Sequence, residues 1–559
     1  MKRLVVSLVA LILVACNARR EHAAQDSGAM PRDPDAVHLV FTFGSEKEAW
    51  IRAVTDAFNN GDHKTAAGKR IEVEAIPMGS GDCIDELLTE SRKAHLTSPA
   101  SAAFITLANA QSRTKTGKDL IARTENLVLS PVVITMWKPM AEALGWPSKP
   151  VGWSDVLALS RNPQGWASVG HPEWGPFRFG HTHPESSNSG LISILAEIYA
   201  ATGKKSGLTI ADVEDPKNAE FVRGIEQAVV HYGSSTGFFG KKMFANGPRY
   251  LSAAVLYENM VIDANVNGRG TMPFPVVAIY PKEGTFWSDH PVGIVERPWV
   301  TPVEREAAKL YIDYLLAREQ QEKAIPFGFR PGAVDVPVAA PIDATNGVDP
   351  LEPKTTLEVP SASVMDAVLR MWRSNKKTAH VTLVLDVSGS MEDDRKMDNA
   401  RDGSLQLVEL LHDADEFTLV PFNDDVRPSI EASSLATGRS TANDRIRGLY
   451  ADGGTALYDA IDVAYQKQLS RRDVDRGKIT SIVVLSDGED RDSKMKLDAL
   501  LDRIRFDNET RTIRVFTIGY GRDAKKDVLE KIADATQAKY YEGNPQNIRA
   551  ILREIATFF

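Results

Sequence analysis

Disulfide chemistry has almost nothing to work with in this chain: of 559 residues, only Cys16 and Cys83 are cysteines. An exported protein with so few would have to fold without a disulfide framework. Cys83 reads as a small buried hydrophobe rather than a catalytic thiol. Basic excess is missing too. The 66 Lys and Arg are outnumbered by 75 Asp and Glu, giving a formal charge of -9, which becomes -11 once Lys2 and Arg3 leave with the first fifteen residues. A phosphate backbone needs a basic footprint, so nucleic acid is excluded as the main partner. Beyond the N-terminus no run approaches 18 consecutive apolar residues, the length a membrane-spanning helix requires.

What is present begins with an address. Lys2 and Arg3 precede an apolar stretch over 4–15, which falls within the roughly 7–15 residues of a secretory leader. The order Leu13-Val14-Ala15-Cys16 resembles the bacterial lipoprotein box. That resemblance implies a signal peptide over 1–15, lipid on the Cys16 sulfur, and attachment to the periplasmic side of the envelope by lipid alone. Asn17 in place of Asp resembles lipoproteins sorted to the outer membrane. Residues 16–36 are polar, rich in Ala, Arg, Asp and Pro and without periodicity, and read as a flexible tether.

Residues 37–340 alternate strand, small-residue turn and helix. A strand over 38–43 ends at Gly44-Ser45 and leads to a helix carrying Trp50, Ile51, Val54 and Phe58. A second over 71–76 ends at Met78-Gly79-Ser80-Gly81-Asp82, and a third apolar run occupies 102–105. This alternation predicts a parallel sheet with helices on its faces. Downstream lie Ser-Ser-Asn-Ser-Gly over 186–190, opening an apolar helix, then Val255-Leu256-Tyr257-Glu258, Tyr-Pro-Lys-Glu-Gly over 280–284 and His-Pro-Val-Gly over 290–293. On these residues the body resembles an extracellular solute-binding protein of the periplasmic-binding type. The resemblance implies two α/β lobes closing on a ligand, with the chain crossing near 125–130 and returning near 280–290. Candidate contacts for a small solute or anion are Ser45, Ser80, Ser187, Ser189, Tyr257 and Glu258, because small-residue turns ahead of helices offer free N–H groups and a positive dipole end. The same Ser and Gly residues serve equally as helix caps, and Tyr257-Glu258 equally as a hinge contact.

Pro341, Pro350, Pro353 and Pro360 mark 341–378 as a linker, with a helix over 363–373. Residues 379–559 alternate again. Strands are predicted over 381–385, 416–422, 479–485, 513–518 and 539–541, with helices after Ser390 and over 443–448, 456–466, 494–504, 528–536 and 547–556. The first strand ends in Asp386-Val387-Ser388-Gly389-Ser390, Gly453-Gly454 precede Thr455, and a third strand ends in Ser486-Asp487. This domain resembles the von Willebrand factor A domain (VWA). Asp386, Ser388, Ser390, Thr455 and Asp487 match its metal-ion-dependent adhesion site. The resemblance implies Mg2+, or Ca2+ or Mn2+, bound directly by Ser388, Ser390 and Thr455, while Asp386 and Asp487 act largely through water. Oxygen donors suit a hard cation. With neutral direct ligands the ion keeps its charge toward solvent, where an acidic side chain of a protein partner completes the shell. The acidic run over 487–492 lacks calcium-loop spacing, and its later carboxylates read as a solvated face.

Enzyme signals do not assemble. Gly233-Ser234-Ser235-Thr236-Gly237 fits Gly-x-Ser-x-Gly but follows a helical pattern, whereas a nucleophile elbow needs a strand before it. His171, His181 and His183 could offer nitrogens to zinc, yet their Pro- and Gly-rich segment reads as a solvated loop. The expected protein is α/β throughout: a two-lobed periplasmic-binding-protein-like body plus a C-terminal Rossmann-like VWA domain. The expected function is non-enzymatic, a lipid-anchored envelope binding protein with metal-mediated protein contacts. The alternative is a solute receptor of a transport system with the VWA domain as docking accessory. A hydrolase of envelope polymers ranks last.

Overall fold

Strands that are apolar on both faces need cover on both sides, and three sheets meet that need. The computed structural model describes residues 35–427, 430–471, 477–487, 489–506, 513–521 and 524–559, with the side chains of 430–433 left aside. The leader, Cys16 and the tether up to residue 34 lie outside the described residues. Among the described residues no helix is long and apolar enough to cross a membrane.

In the first lobe the strand order is Ile71–Met78, Val37–Gly44, Leu96–Ser98, Pro291–Ile294, Thr124–Asn126. Helix Glu48–Asn60 buries Trp50, Ile51, Val54 and Phe58, the face its apolar spacing predicts. The apolar run at 102–105 opens helix Ala102–Thr116 and is not a strand. The third strand is Leu96–Ser98, three residues long and too short to show a period. Cys83 is free and buried.

The second lobe is built on Val128–Trp137, which pairs antiparallel with Ala253–Tyr257, Val276–Ile279, Trp287–Ser288 and Arg330–Pro331. The chain enters this lobe after Thr124–Asn126 and leaves it between Trp287–Ser288 and Pro291–Ile294. The proline-rich segment is folded onto this lobe, burying Ile342, Val348 and Leu357. Helix Ala362–Asn375 follows, burying Val364, Met365, Val368 and Trp372, and packs against helices Asn188–Thr202, Ile210–Glu214 and Pro216–Glu226 of this lobe and Ala102–Thr116 of the first.

The C-terminal sheet runs Ile430–Ser434, Glu416–Phe422, Ala379–Asp386, Ile479–Ser486, Arg514–Tyr520, Tyr540–Gly543. All neighbours are parallel except the first pair. Ala379–Asp386 is buried along its whole length, which is why it reads as an unbroken apolar run rather than an alternation. The helix expected over 443–448 is the end of a longer one, Leu435–Arg447. Its N-cap Ser434 closes the edge strand Ile430–Ser434, which no apolar pattern announces.

One face of this sheet is covered by Leu457–Ser470, Leu497–Ile504 and Lys526–Ala535 around their own core. The other face, with Lys396–Leu410 and Ile548–Ala556, shares a single continuous core with the second lobe, helix Ala362–Asn375 and, through Ile84, Leu87, Phe104 and Leu107, the first lobe. The Phe516 and Phe558 rings lie 4.8 Å apart. The Tyr232 amide donates to the Phe558 carbonyl at 3.3 Å, Lys376 Nζ donates to the Phe559 carbonyl at 2.5 Å, and the Arg514 guanidinium stacks 4.8 Å from the Tyr250 ring. The first lobe meets this domain through the ion pair Arg553–Asp85, 2.7 Å, on the last helix.

Candidate metal centre

The C-terminal sheet reverses its order between Ala379–Asp386 and Ile479–Ser486, and such a switch point opens a crevice at the carboxyl ends of the strands. Asp386 ends the first strand, fully buried. Its Oδ1 accepts the Ser388 amide at 2.9 Å and its Oδ2 accepts the Ser486 hydroxyl at 2.5 Å. Ser388 Oγ lies 3.2 Å from Ser390 Oγ, which donates to Asp487 Oδ1 at 2.8 Å. The loop before Thr455 is laced to the serine loop by Asp452 N to Val387 O at 2.8 Å and Gly389 N to Gly453 O at 3.1 Å. Gly453 has φ +75°, and a Cβ there would stand 2.0 Å from Asp424 Oδ1, so glycine lets this loop close in.

Two carboxylates of the acidic run do more than meet solvent. Asp492 accepts the Thr455 amide at 2.7 Å, and Asp490 accepts the Tyr458 amide at 3.2 Å. They brace the Thr455 loop and the start of Leu457–Ser470. Their partners lie more than thirty residues earlier in the chain, which local spacing cannot reveal.

The donor set converging here is hydroxyl and carboxylate oxygen, the chemistry a hard divalent cation takes. Burial pushes the Asp386 carboxyl up to about 6 against the pull of hydrogen bonds from Ser388 and Ser486, and nearby Asp487 adds to the rise. The centre already attracts positive charge: Lys396 Nζ sits 2.6 Å from Asp487 Oδ2, with both side chains nearly fully buried. The sequence reading missed Lys396. Its signal was a lysine on the buried face of Lys396–Leu410, beside Ala400 and Leu407.

The six candidate solute contacts lie in or near the seam between the lobes, and the lobes touch directly. Gly81 N donates to Ser186 O at 2.8 Å across it, and a Cβ on Gly81 would stand 2.0 Å from the Glu185 carbonyl. Ser45 Oγ accepts the Gly237 amide at 3.1 Å. Ser80 Oγ accepts the Ala100 amide at 2.9 Å, inside its own lobe. Ser187 and Ser189 are bridged by Thr236, at 3.0 and 2.9 Å. The Tyr257 hydroxyl accepts from Asn188 at 3.0 Å, and Asn188 accepts from Ser101 of the first lobe at 2.5 Å. Glu258 stands apart, fully buried and paired through both oxygens with Arg330 at 2.8 and 2.6 Å, and it takes the Tyr280 hydroxyl as well. Of the six, Ser45 lines an opening of about 1250 Å³ at the mouth of the seam, walled by Ser235 and Lys241 of the second lobe and by Arg549 and Arg553 of the C-terminal domain.

Lys47, Glu46 and His290 form an ionic cluster in the seam. Lys47 is fully buried, with its ammonium 2.8 Å from Glu46 and 3.1 Å from His290 Nδ1. Burial would raise the Glu46 carboxyl, but the Lys47 ammonium and His290 hold it at about 2. A charged pair in a turn ahead of a helix ordinarily faces solvent, so nothing local distinguishes this one.

The three histidines do not share a solvated loop. Only His171 is substantially exposed, stacked on Trp174. His181 is fully buried, and His183 is half-buried, edge-on to Trp372, where the cover over its ring, abetted by the Lys376 charge, lowers it to about 3. The loop is covered by helix Ala362–Asn375, a tertiary contact its composition does not show.

These features define the class first: a two-lobed α/β binding-protein fold fused through a shared core to a parallel-sheet domain with an oxygen cluster at its switch point. Residues 53–347 match the family described as bacterial extracellular solute-binding protein, and the chain belongs to that family. Residues 380–554 match the von Willebrand factor type A domain. An uncharacterized protein of Synechocystis sp. is 28% identical over 181 residues, 32% of this chain and 40% of that protein. The chain spans 40% and 17% of the lengths of two curated relatives it matches. Among solved structures, a periplasmic thiamin binding protein is 14% identical, with TM-score 0.45 over 62% of this chain and 99% of that one. A von Willebrand factor type A protein from Catenulispora acidiphila is 23% identical, with TM-score 0.28 over 33% of this chain and 42% of that one.

Proposed function

We propose that this is an exported binding protein, lipid-anchored through Cys16, whose C-terminal domain holds a divalent cation at Asp386, Ser388, Ser390, Thr455 and Asp487 and uses it to engage an acidic side chain of a protein partner. The observation that supports this most is the hydrogen-bonded chain from Asp386 through Ser388 and Ser390 to Asp487, with the Thr455 loop laced against it. A bound Mg2+ supplies a coordination position that a carboxylate can fill. The protein's part is to hold the serine hydroxyls by short loops from buried strand ends and to keep Thr455 in place through Asp492. Capture of envelope proteins by the mature chain, with Mg2+, with chelator and with Asp386→Ala, tests the reading. Capture should fail in the last two, and indifference to both overturns it. Labelled palmitate should appear on wild type and vanish in Cys16→Ser.

A second reading, a solute receptor of a transport system, is favoured by family membership of residues 53–347. Calorimetry against oxyanions, sugars and amino acids discriminates. A saturable heat in the Asp386→Ala protein supports it, and silence across the panel counts for a body kept for protein contacts.

A further inference from the structure

Away from both regions, the second lobe closes over three ionisable side chains. His181, Glu197 and Glu226 are each fully buried, and one ligand atom from each lies within 4.8 Å of the others. They come from three places: the segment after Phe179–Gly180, helix Asn188–Thr202 and helix Pro216–Glu226. Two buried carboxylates beside one imidazole are costly unless positive charge or protons compensate them.

The hydrogen bonds say which atoms remain. His181 Nδ1 lies 2.8 Å from the Thr182 carbonyl, which can only accept, so the proton sits on Nδ1 and Nε2 faces the cluster. Glu226 Oε2 takes the Tyr232 hydroxyl at 2.6 Å and the Trp372 indole at 3.3 Å, leaving Oε1 for His181 Nε2, 2.9 Å away. Glu197 Oε1 takes the Ser193 hydroxyl at 2.9 Å, while its Oε2 is buried without a hydrogen-bond partner. A proton shared between His181 and Glu226 leaves that oxygen orphaned. A cation among the three satisfies it. The outer partners match the usual second shell of a metal-binding histidine and carboxylate, a carbonyl on the far imidazole nitrogen and donors on the far carboxylate oxygen.

We propose that His181, Glu197 and Glu226 form a buried divalent-cation site with one nitrogen and two carboxylate donors, a set suited to Zn2+, which ties the second lobe to helix Ala362–Asn375 through Glu226 and Trp372. Such a site loads as the lobe folds, and its binding free energy becomes folding free energy.

The test uses the full mature chain, purified without a metal-affinity step, dialysed metal-free and assayed for zinc by elemental analysis. About one equivalent should be retained by wild type and equally by Asp386→Ala, which leaves the second lobe untouched. It should be lost in Glu197→Gln and in His181→Gln, and a strong chelator should lower the wild-type melting temperature. Cobalt offered during folding should give ligand-field absorption in wild type. Should the variants not fold, the wild-type zinc content and cobalt spectrum decide alone. A folded wild type holding neither zinc nor cobalt, or Glu197→Gln holding zinc like wild type, overturns the proposal.

Discussion

In the interlobe seam, Glu46 is balanced inside the chain by Lys47, with His290 against both. At the switch point of the C-terminal sheet, Asp386 and Asp487 stand beside one ammonium, that of Lys396, which donates to Asp487 at 2.6 Å and to the Ser390 carbonyl at 3.4 Å. The Glu46 carboxylate thus has its counter-charge beside it, whereas the C-terminal centre is short of positive charge and rich in hydroxyl donors. This difference says where an added cation has something to do. It also separates two kinds of sequence motif: one whose polar residues hold the protein together, and one whose polar residues are held in readiness by the protein.

The largest effect is expected at Glu258, which stands apart from the seam but, like Glu46, has its counter-charge beside it. Glu258→Ala strands Arg330 in the interior and should cost about 3–5 kcal/mol, read as a lower midpoint in chemical denaturation. Unchanged stability with lost solute binding would instead make Glu258 a ligand contact. Next comes acid. Because Glu46 is held at about 2 against an ordinary 4.5, its contribution is present above about 4.5 and drains away as pH falls toward 2, an effect of about 3 kcal/mol. In Lys47→Met only His290 opposes the burial that raises this carboxyl, so the slope of stability against pH from this group should reverse, stability falling as the carboxyl ionises. Denaturant midpoints at several pH values for both proteins check this. On the other side, Lys396→Met removes the resident charge from Asp487 and should tighten Mg2+ by about tenfold in calorimetry, near 1.4 kcal/mol. A weakened or unchanged affinity would mean Lys396 supports the loaded centre rather than competing with it. The smallest effect belongs to Arg553→Ala. Its pair with Asp85 is nearly half exposed, so stability should move by no more than about 1 kcal/mol, a melting shift of a few degrees at most.

How far these features were legible follows from where their partners sit. Asp386, Ser388 and Asp487 lie at strand ends whose apolar runs are unmistakable, and the strand at 416–422 appears as Glu416–Phe422. Lys396 and Asp492 act on residues far along the chain. The seam required knowing which lobe surfaces meet, since Gly79 and Gly81 read as an anion-binding turn but also permit close approach to 185–186. Leu96–Ser98 was too short to register. His181, Glu197 and Glu226 stand 16 and 29 residues apart and carry no motif, so folding alone brings them together.

The core shared by the second lobe and the C-terminal domain has a mechanical consequence. No slack segment separates Trp372 from Ala379–Asp386, and Phe558 and Phe559 are packed into the same interior. The strand that ends in Asp386 thus continues from helix Ala362–Asn375, whose buried face is part of the second lobe's own interior. The first lobe enters that interior too, through Ile84, Leu87, Phe104 and Leu107 on helices Ser80–Leu88 and Ala102–Thr116, with the half-exposed Arg553–Asp85 pair at its rim. The last helices of the chain therefore close over both lobes at once, and helix Ala362–Asn375 is the wall that the three bodies have in common.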